Sequence, residues 1–185
     1  MRKSHMLFFI CALLFLIPVG QLSASDNTIT SIEHLSDLPA AERADSLVSI
    51  GQRLADSDVE QALSILRTAL ALSKSAEYIR GQAESHANLG LIFYNTKSYE
   101  KAEEEYRNSI SSLNGDESYF YTDDLYRMYG NAQHRAGDNE GAEKSLRKSM
   151  KIAAAKHDSL GTAMSVHNSA YMNFRISNFD TALTH

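Results

Sequence analysis

The chain contains 185 residues, and among them are one cysteine, two prolines and no tryptophan. Because Cys11 is the only cysteine, no disulfide can form within the chain, and the fold must depend on packing. The longest apolar run covers residues 6–19, which is shorter than the roughly 18 residues that a membrane-spanning helix requires. The formal net charge is −5, which disfavours nucleic acid as a ligand.

The first residues have the pattern of a secretory signal peptide. Arg2 and Lys3 precede the apolar run, and Pro18 ends it ahead of a short segment that contains Ala24. We expect cleavage near Ala24, so residues 1–24 are predicted to be a signal peptide and residues 25–38 a flexible lead. An uncleaved membrane anchor remains an alternative. Removal of Arg2 and Lys3 would leave 16 basic and 23 acidic side chains, a formal charge of −7.

A helix-start pattern recurs every 40 residues in the remainder of the chain. The first position of the pattern holds a residue that can cap a helix. The third position holds an acidic residue, which the positive end of the helix dipole favours, and the fifth position holds alanine. The four copies are Asp58-Val59-Glu60-Gln61-Ala62, Ser98-Tyr99-Glu100-Lys101-Ala102, Asp138-Asn139-Glu140-Gly141-Ala142 and Asn178-Phe179-Asp180-Thr181-Ala182. A recurrence at this spacing is typical of a stacked repeat protein.

Each copy follows a second predicted helix, which indicates a series of helical hairpins. Small residues lie 12 positions before three of the four alanines, at Gly90, Gly130 and Ala170. In the first copy Ile50 holds this position. Small residues on both helices allow close approach, so an all-α chain of antiparallel hairpins is predicted. The expected helices are 39–56, opened by Pro39, then 58–75, 79–96, 98–113, 118–136, 138–156 and 160–176, followed by a stub from 178.

These residues resemble those of the tetratricopeptide repeat (TPR) family. The best match is Ala87-Asn88-Leu89-Gly90-Leu91-Ile92-Phe93-Tyr94, followed by Tyr99, Ala102 and Tyr106. The resemblance implies a right-handed superhelical stack, a TPR-like α-solenoid, over residues 39–185. Its repeats would be about 43–82, 83–122, 123–162 and 163–185, the last incomplete. The period of 40 exceeds the 34 residues typical of the family.

The sequence offers no constellation typical of catalysis. Neither a phosphate-binding glycine loop nor a zinc-binding histidine motif occurs, and the histidines are scattered. Ser165 and His167 are close in sequence, but side chains two apart on a helix point in different directions. We therefore predict a non-catalytic protein with no cofactor and no metal site.

The resemblance also implies a binding surface. In TPR stacks the first helices of successive repeats line a concave face that holds a peptide or protein. The corresponding positions predict the partner-binding residues Leu91, Tyr94, Arg127, Asn131, His134, His167, Tyr171 and Phe174. The residues with which chaperone-binding members hold a terminal carboxylate are absent from the first two repeats, so that function does not carry over.

Two functional contexts remain open at this point. An export signal followed by long TPR-like units resembles the N-terminal sensor region of bacterial TPR-containing membrane regulators, with any kinase or DNA-binding module beyond residue 185. The alternative is a free-standing periplasmic or outer-membrane assembly scaffold without signalling output. Either context places the protein in the bacterial cell envelope, with membrane association only through the signal segment or a downstream region. Because residue 185 falls inside the fourth repeat, self-association through an uncovered end is a further expectation.

Overall fold

Seven α-helices follow one another in the part of the chain that the structure describes. The computed structural model describes residues 34–119 and 121–183, and the side chains of residues 35–119 and 121–174. The helices are α1 (Ala40–Leu54), α2 (Val59–Ser75), α3 (Ile79–Asn95), α4 (Tyr99–Ser112), α5 (Thr122–Ala136), α6 (Asn139–Ala155) and α7 (Ser159–Leu183). Since no strand occurs in the described ranges, the prediction of an all-α fold is confirmed.

The helices belong to the second of two units into which the chain divides, residues 38–185. In the first unit, the described residues form a single 3-10 turn, His34–Asp37, within the segment predicted to be a flexible lead. The predicted signal peptide lies outside the described residues and stays a prediction.

Consecutive helices pack on one another throughout the second unit. Three pairs joined by short turns form hairpins, α1 with α2, α3 with α4, and α5 with α6. In addition α1 contacts α3, and α5 contacts α7. This packing order agrees with the predicted TPR-like helical solenoid.

The predicted helix caps hold for two of the four copies of the pattern. Asp58 Oδ1 accepts a hydrogen bond from the backbone N–H of Gln61 at 3.0 Å, and Asp138 Oδ1 accepts from Gly141 at 2.9 Å. The cap prediction is wrong for Ser98, whose side chain makes no such bond. Ser98 thus occupies the N-cap position of α4 without a side-chain hydrogen bond to its first turn.

Close contact inside the hairpins depends on glycine. A Cβ atom on Gly90 would lie 2.9 Å from Tyr106 Cε1, and one on Gly130 would lie 3.0 Å from Leu146 Cγ. In the first hairpin the glycine comes one residue after the expected position, since Ile50 is followed by Gly51, whose Cβ would lie 2.6 Å from Leu66 Cγ. The first helices can therefore approach their partners only because these positions lack a side chain.

Clusters of buried apolar side chains join neighbouring hairpins. Ala102 and Tyr106 on α4 pack against Ala132 on α5. Ala142 and Leu146 on α6 pack against Met172 on α7 in the same way. Each cluster thus combines the second helix of one hairpin with the first helix that follows it. This placement explains the recurring alanines, since Ala62, Ala102 and Ala142 are all fully buried.

The end of the described chain differs from the prediction. Helix α7 continues without a break from Ser159 to Leu183, so the predicted stop at 176 and the predicted cap at Asn178 are both wrong. The equivalent turns before α4 and α6 contain Lys97 and Gly137 in the left-handed conformation. Between 174 and 180 there is neither glycine nor proline to interrupt the helix, and a continuing helix keeps its backbone hydrogen bonds. Asp158, which was not predicted as a cap, accepts a hydrogen bond from Gly161 at the start of α7.

The connection between α4 and α5 is longer than predicted, because α5 begins at Thr122 rather than at 118. Asp116 Oδ1 accepts a hydrogen bond from the backbone of Ser118 at 2.9 Å, which holds the segment in a turn. Tyr119 Oη donates to Glu84 on α3 at 2.8 Å, and Lys156 Nζ donates to the carbonyl of Tyr119 at 2.8 Å. The connection is therefore fixed to α3 on one side and to the end of α6 on the other.

Candidate functional site

Most of the predicted partner-binding residues come together in one cleft between α3, α5 and α7, which we call the tyrosine cleft. It has a volume of about 270 Å³. Its lining residues are Tyr94, Asn131, His134, Arg135, Leu146, His167, Asn168, Tyr171 and Met172. Five of the eight predicted residues are in this set, namely Tyr94, Asn131, His134, His167 and Tyr171. Positions chosen from helical register alone therefore meet in space, although nothing yet shows that they bind a partner.

The other three predicted residues lie elsewhere on the same side of the helices. Leu91 and Phe174 are surface residues with 36% and 65% of their area exposed. Arg127 lines a second cleft of about 500 Å³, which we call the loop cleft and which lies between α3, α5 and the connection that contains Tyr119. There Arg127 Nη2 donates to Asp124 Oδ1 at 2.5 Å, so its charge is paired within α5. Arg127 and Asn131, both on α5, therefore line different clefts.

An arginine and two tyrosines form one edge of the tyrosine cleft. Arg135 Nη2 donates to Tyr99 Oη at 3.0 Å, and the guanidinium lies 5.1 Å from the centre of the Tyr99 ring. The Tyr94 and Tyr99 rings meet edge to face, with their centres 5.6 Å apart. The hydrogen bond with Tyr99 raises the pKa of the Arg135 guanidinium, which therefore stays positively charged. Partial burial raises the pKa of the Tyr94 phenol, so this ring stays neutral at physiological pH.

A side chain that departs from the repeated pattern orients one of the histidines. His134 Nδ1 lies 2.7 Å from Asn139 Oδ1 at the start of α6. Because an amide oxygen can only accept, Nδ1 carries the hydrogen and Nε2 is left as the second polar atom of the ring. Asn139 occupies the position held by Val59, Tyr99 and Phe179 in the other copies. Its polar side chain is explained by this contact with His134.

The charge of the tyrosine cleft is opposite in sign to that of the chain. Arg135 carries a permanent positive charge in the lining. Among the described residues no carboxylate belongs to the lining, although the chain has 23 acidic side chains against 18 basic ones. The loop cleft differs, because Glu84 and Asp124 line it beside Arg80 and Arg127. Of the two clefts, the tyrosine cleft is therefore the one suited to a negatively charged group.

The residues that sequence reasoning missed adjoin those that it found. Arg135 and Asn168 each follow directly after a predicted histidine, His134 and His167 respectively. The prediction followed a single line of positions along each helix, whereas the cleft also uses the next residue around the helix. The role of Tyr99 in holding Arg135 depends on a contact across 36 residues that no local pattern reveals.

Residues 83–112, which cover all of α4 and all but the first four residues of α3, match the family model described as tetratricopeptide repeat. Together with the helical fold, this match supports a TPR protein. No curated protein matches the chain. The glycine contact and aromatic residues that underlie the resemblance, Gly90 and Tyr106 among them, lie inside the matched segment. Repeats of this kind are in general protein interaction modules.

Two further findings concern the described residues only. They contain no group of three or more histidine, cysteine or acidic side chains placed to hold a metal ion. None of their helices is both long enough and apolar enough to cross a bilayer.

Proposed function

We propose that this chain is a protein interaction module whose partner binds on the surface of α3, α5 and α7, with the tyrosine cleft at its centre. The observation that carries the proposal is the convergence of Tyr94, Asn131 and Tyr171 from three helices into one cleft. Aromatic and arginine side chains contribute a large share of the binding energy in protein interfaces. Here Tyr99 already holds Arg135 in place, so less side-chain freedom is lost when a partner binds.

A photo-crosslinking experiment tests this binding surface. A photoreactive amino acid replaces Asn131 in the tyrosine cleft or, as a matched control, Arg67 on the exposed surface of α2. In a cell-envelope extract we expect a discrete adduct from position 131 and none from position 67. The adduct should disappear when Tyr171→Ser is added to the position 131 variant. Equal adducts from both positions, or an adduct insensitive to Tyr171→Ser, would contradict the proposal.

We also infer that the protein is exported to the bacterial cell envelope as part of a larger signalling protein. Export is supported by the basic pair Arg2 and Lys3 followed by the apolar run of residues 6–19. The signalling context is supported by resemblance alone, and a free-standing scaffold would use the same binding surface. Cell fractionation tests export, because the native chain should reach the envelope with residues 1–24 removed. A full-length chain that remains in the cytoplasm would contradict it.

A further inference from the structure

Helix α7 exposes a line of apolar side chains that we call the α7 stripe. It consists of Leu160, Met164, Tyr171 and Phe174, of which 70%, 39%, 50% and 65% of the area is exposed. At 3.6 residues per turn these four positions fall within about 80° of one another around the helix. They therefore form a single narrow face that extends for about 21 Å, given the rise of 1.5 Å per residue.

The stripe differs from α3 at Leu160 and Met164, whereas Tyr171 and Phe174 correspond to Leu91 and Tyr94 of that helix. One period earlier, the position of Met164 is held by Asp124, and two periods earlier by Glu84. The position of Leu160 corresponds to Arg80 in α3. Where α3 and α5 carry charged side chains that suit water, α7 thus presents aliphatic ones. An exposed apolar face of this kind is typical of a surface that binds another protein.

The stripe is continuous with the positively charged tyrosine cleft. Tyr171 belongs to both, since it is half exposed on α7 and also lines the cleft with Arg135. Arg135 is held by its hydrogen bond with Tyr99, and no side chain that the structure describes brings a carboxylate to the cleft. A partner that packs on the stripe therefore meets a fixed positive charge at one edge.

We propose that the α7 stripe binds an amphipathic α-helix of another protein, whose apolar face packs along the stripe and whose carboxylates along one edge contact Arg135. This inference rests on the proposed function and names the chemistry of the partner. A face about four turns long, apolar at the four stripe positions and interrupted by exposed His167, matches the ridge of a second helix. An extended peptide gains affinity by pairing its backbone with the edge of a sheet, and the described chain has no strand to offer.

Binding of designed peptides to the full chain tests the proposal. The probe is a fluorescent peptide of about 18 residues with leucine on one helical face and glutamate along one edge. A second peptide carries lysine in place of glutamate, and a third has the composition of the first but prolines that prevent a helix. We expect the glutamate helix to bind at least about tenfold more tightly than either of the others. Equal affinity for the proline peptide would overturn the helical partner, and equal affinity for the lysine peptide would overturn its acidic edge.

Variants of the chain locate the binding surface. The double change Tyr171→Ser with Phe174→Ser should weaken binding of the glutamate peptide at least about tenfold. Val166→Ser is the matched control, because Val166 is also 50% exposed but lies about 120° away around α7. Arg135→Glu should reverse the preference between the glutamate and lysine peptides, whereas Arg67→Glu on α2 should not. If Val166→Ser weakens binding as much as the double change does, the stripe is not the surface.

Two outcomes distinguish a partner helix on the α7 stripe from a second copy of the chain and from failure of the proposed function. Sedimentation of the full chain shows whether it self-associates. If the chain forms a dimer that the double change dissociates, and if the glutamate peptide does not bind, the stripe binds a second copy of the chain and the proposal is overturned. An adduct at position 131 that persists in the Phe174→Ser variant, together with failure of the peptide to bind, would leave the proposed function standing and overturn the helix. Loss of the cleft adduct itself would contradict both.

Discussion

The contact between Gly90 and Tyr106 is the position where one added methyl group should change stability most clearly. A Cβ atom on Gly90 would lie 2.9 to 3.2 Å from three atoms of the Tyr106 ring, so the ring would have to move by about 0.5 Å to reach ordinary contact. Tyr106 is 1% exposed and packs among Ala102, Ala132 and their neighbours, which leaves it no room. Burial also raises the pKa of its phenol, as expected for a ring enclosed by apolar groups.

Two opposing effects determine the size of the change. Alanine gains about 1 kcal/mol over glycine from helix propensity. Overpacking in a rigid core costs about 1–3 kcal/mol. We therefore expect Gly90→Ala to lower the free energy of unfolding by up to about 2 kcal/mol, and Gly90→Leu to lower it by about 2 kcal/mol or more, since leucine brings three further carbons to the same contact.

Urea unfolding followed by far-ultraviolet circular dichroism measures this series. The control is Ala154→Leu on the exposed surface of α6, which adds the same three carbons in contact with water and should change stability by less than about 0.5 kcal/mol. If Gly90→Leu raises the urea midpoint, as helix propensity alone would predict, the close contact described here is refuted.

Two further changes test the caps and a buried phenol. Asp138→Ala should cost about 1 kcal/mol because it removes the cap of α6, whereas Ser98→Ala should cost much less; equal losses in urea unfolding would contradict the cap assignment. Burial, followed by the hydrogen bond to Asp45, raises the pKa of Tyr78 from 10.0 to about 12. The stability that this raised pKa contributes to the folded protein is complete below pH 10 and is lost as pH rises towards 12. The free energy of unfolding of the unchanged protein should therefore fall relative to that of Tyr78→Phe between pH 10 and 12. A difference that stays constant over this range would refute the raised pKa of Tyr78.

The 40-residue recurrence was sufficient to predict the first six helices, because it marks caps and close contacts, which are local properties. It failed where the outcome depended on competition between local and distant effects. Ser98 lies at the cap position but makes no cap hydrogen bond, and Tyr119 in the connection between α4 and α5 is held by contacts from Glu84 and Lys156 that no local pattern predicts. The stop predicted before Asn178 assumed that each copy of the pattern begins a helix, whereas α7 continues through it.

The sequence predicted which positions line the candidate site but not all the side-chain contacts that these residues make. Helical register placed Tyr94, Asn131 and Tyr171 on one side of their helices, and they share a cleft. The i,i+3 spacing of Asp124 and Arg127 on α5 allows their ion pair, whereas register cannot show that Tyr99 holds Arg135, because that contact joins two different helices. The apolar stripe of α7 was readable in the sequence only by comparing its residues with those 40 and 80 positions earlier.

The placement of the buried clusters has a consequence for how the molecule opens. Since Tyr106 packs with Ala132, and Leu146 with Met172, each cluster belongs half to one hairpin and half to the next. Cleaving the chain between hairpins would therefore divide a cluster, so the hairpins are not independent modules that can be excised or exchanged. We expect native-state hydrogen exchange to report cooperative units that straddle the hairpin boundaries, with α4 opening together with α5 and α6 together with α7.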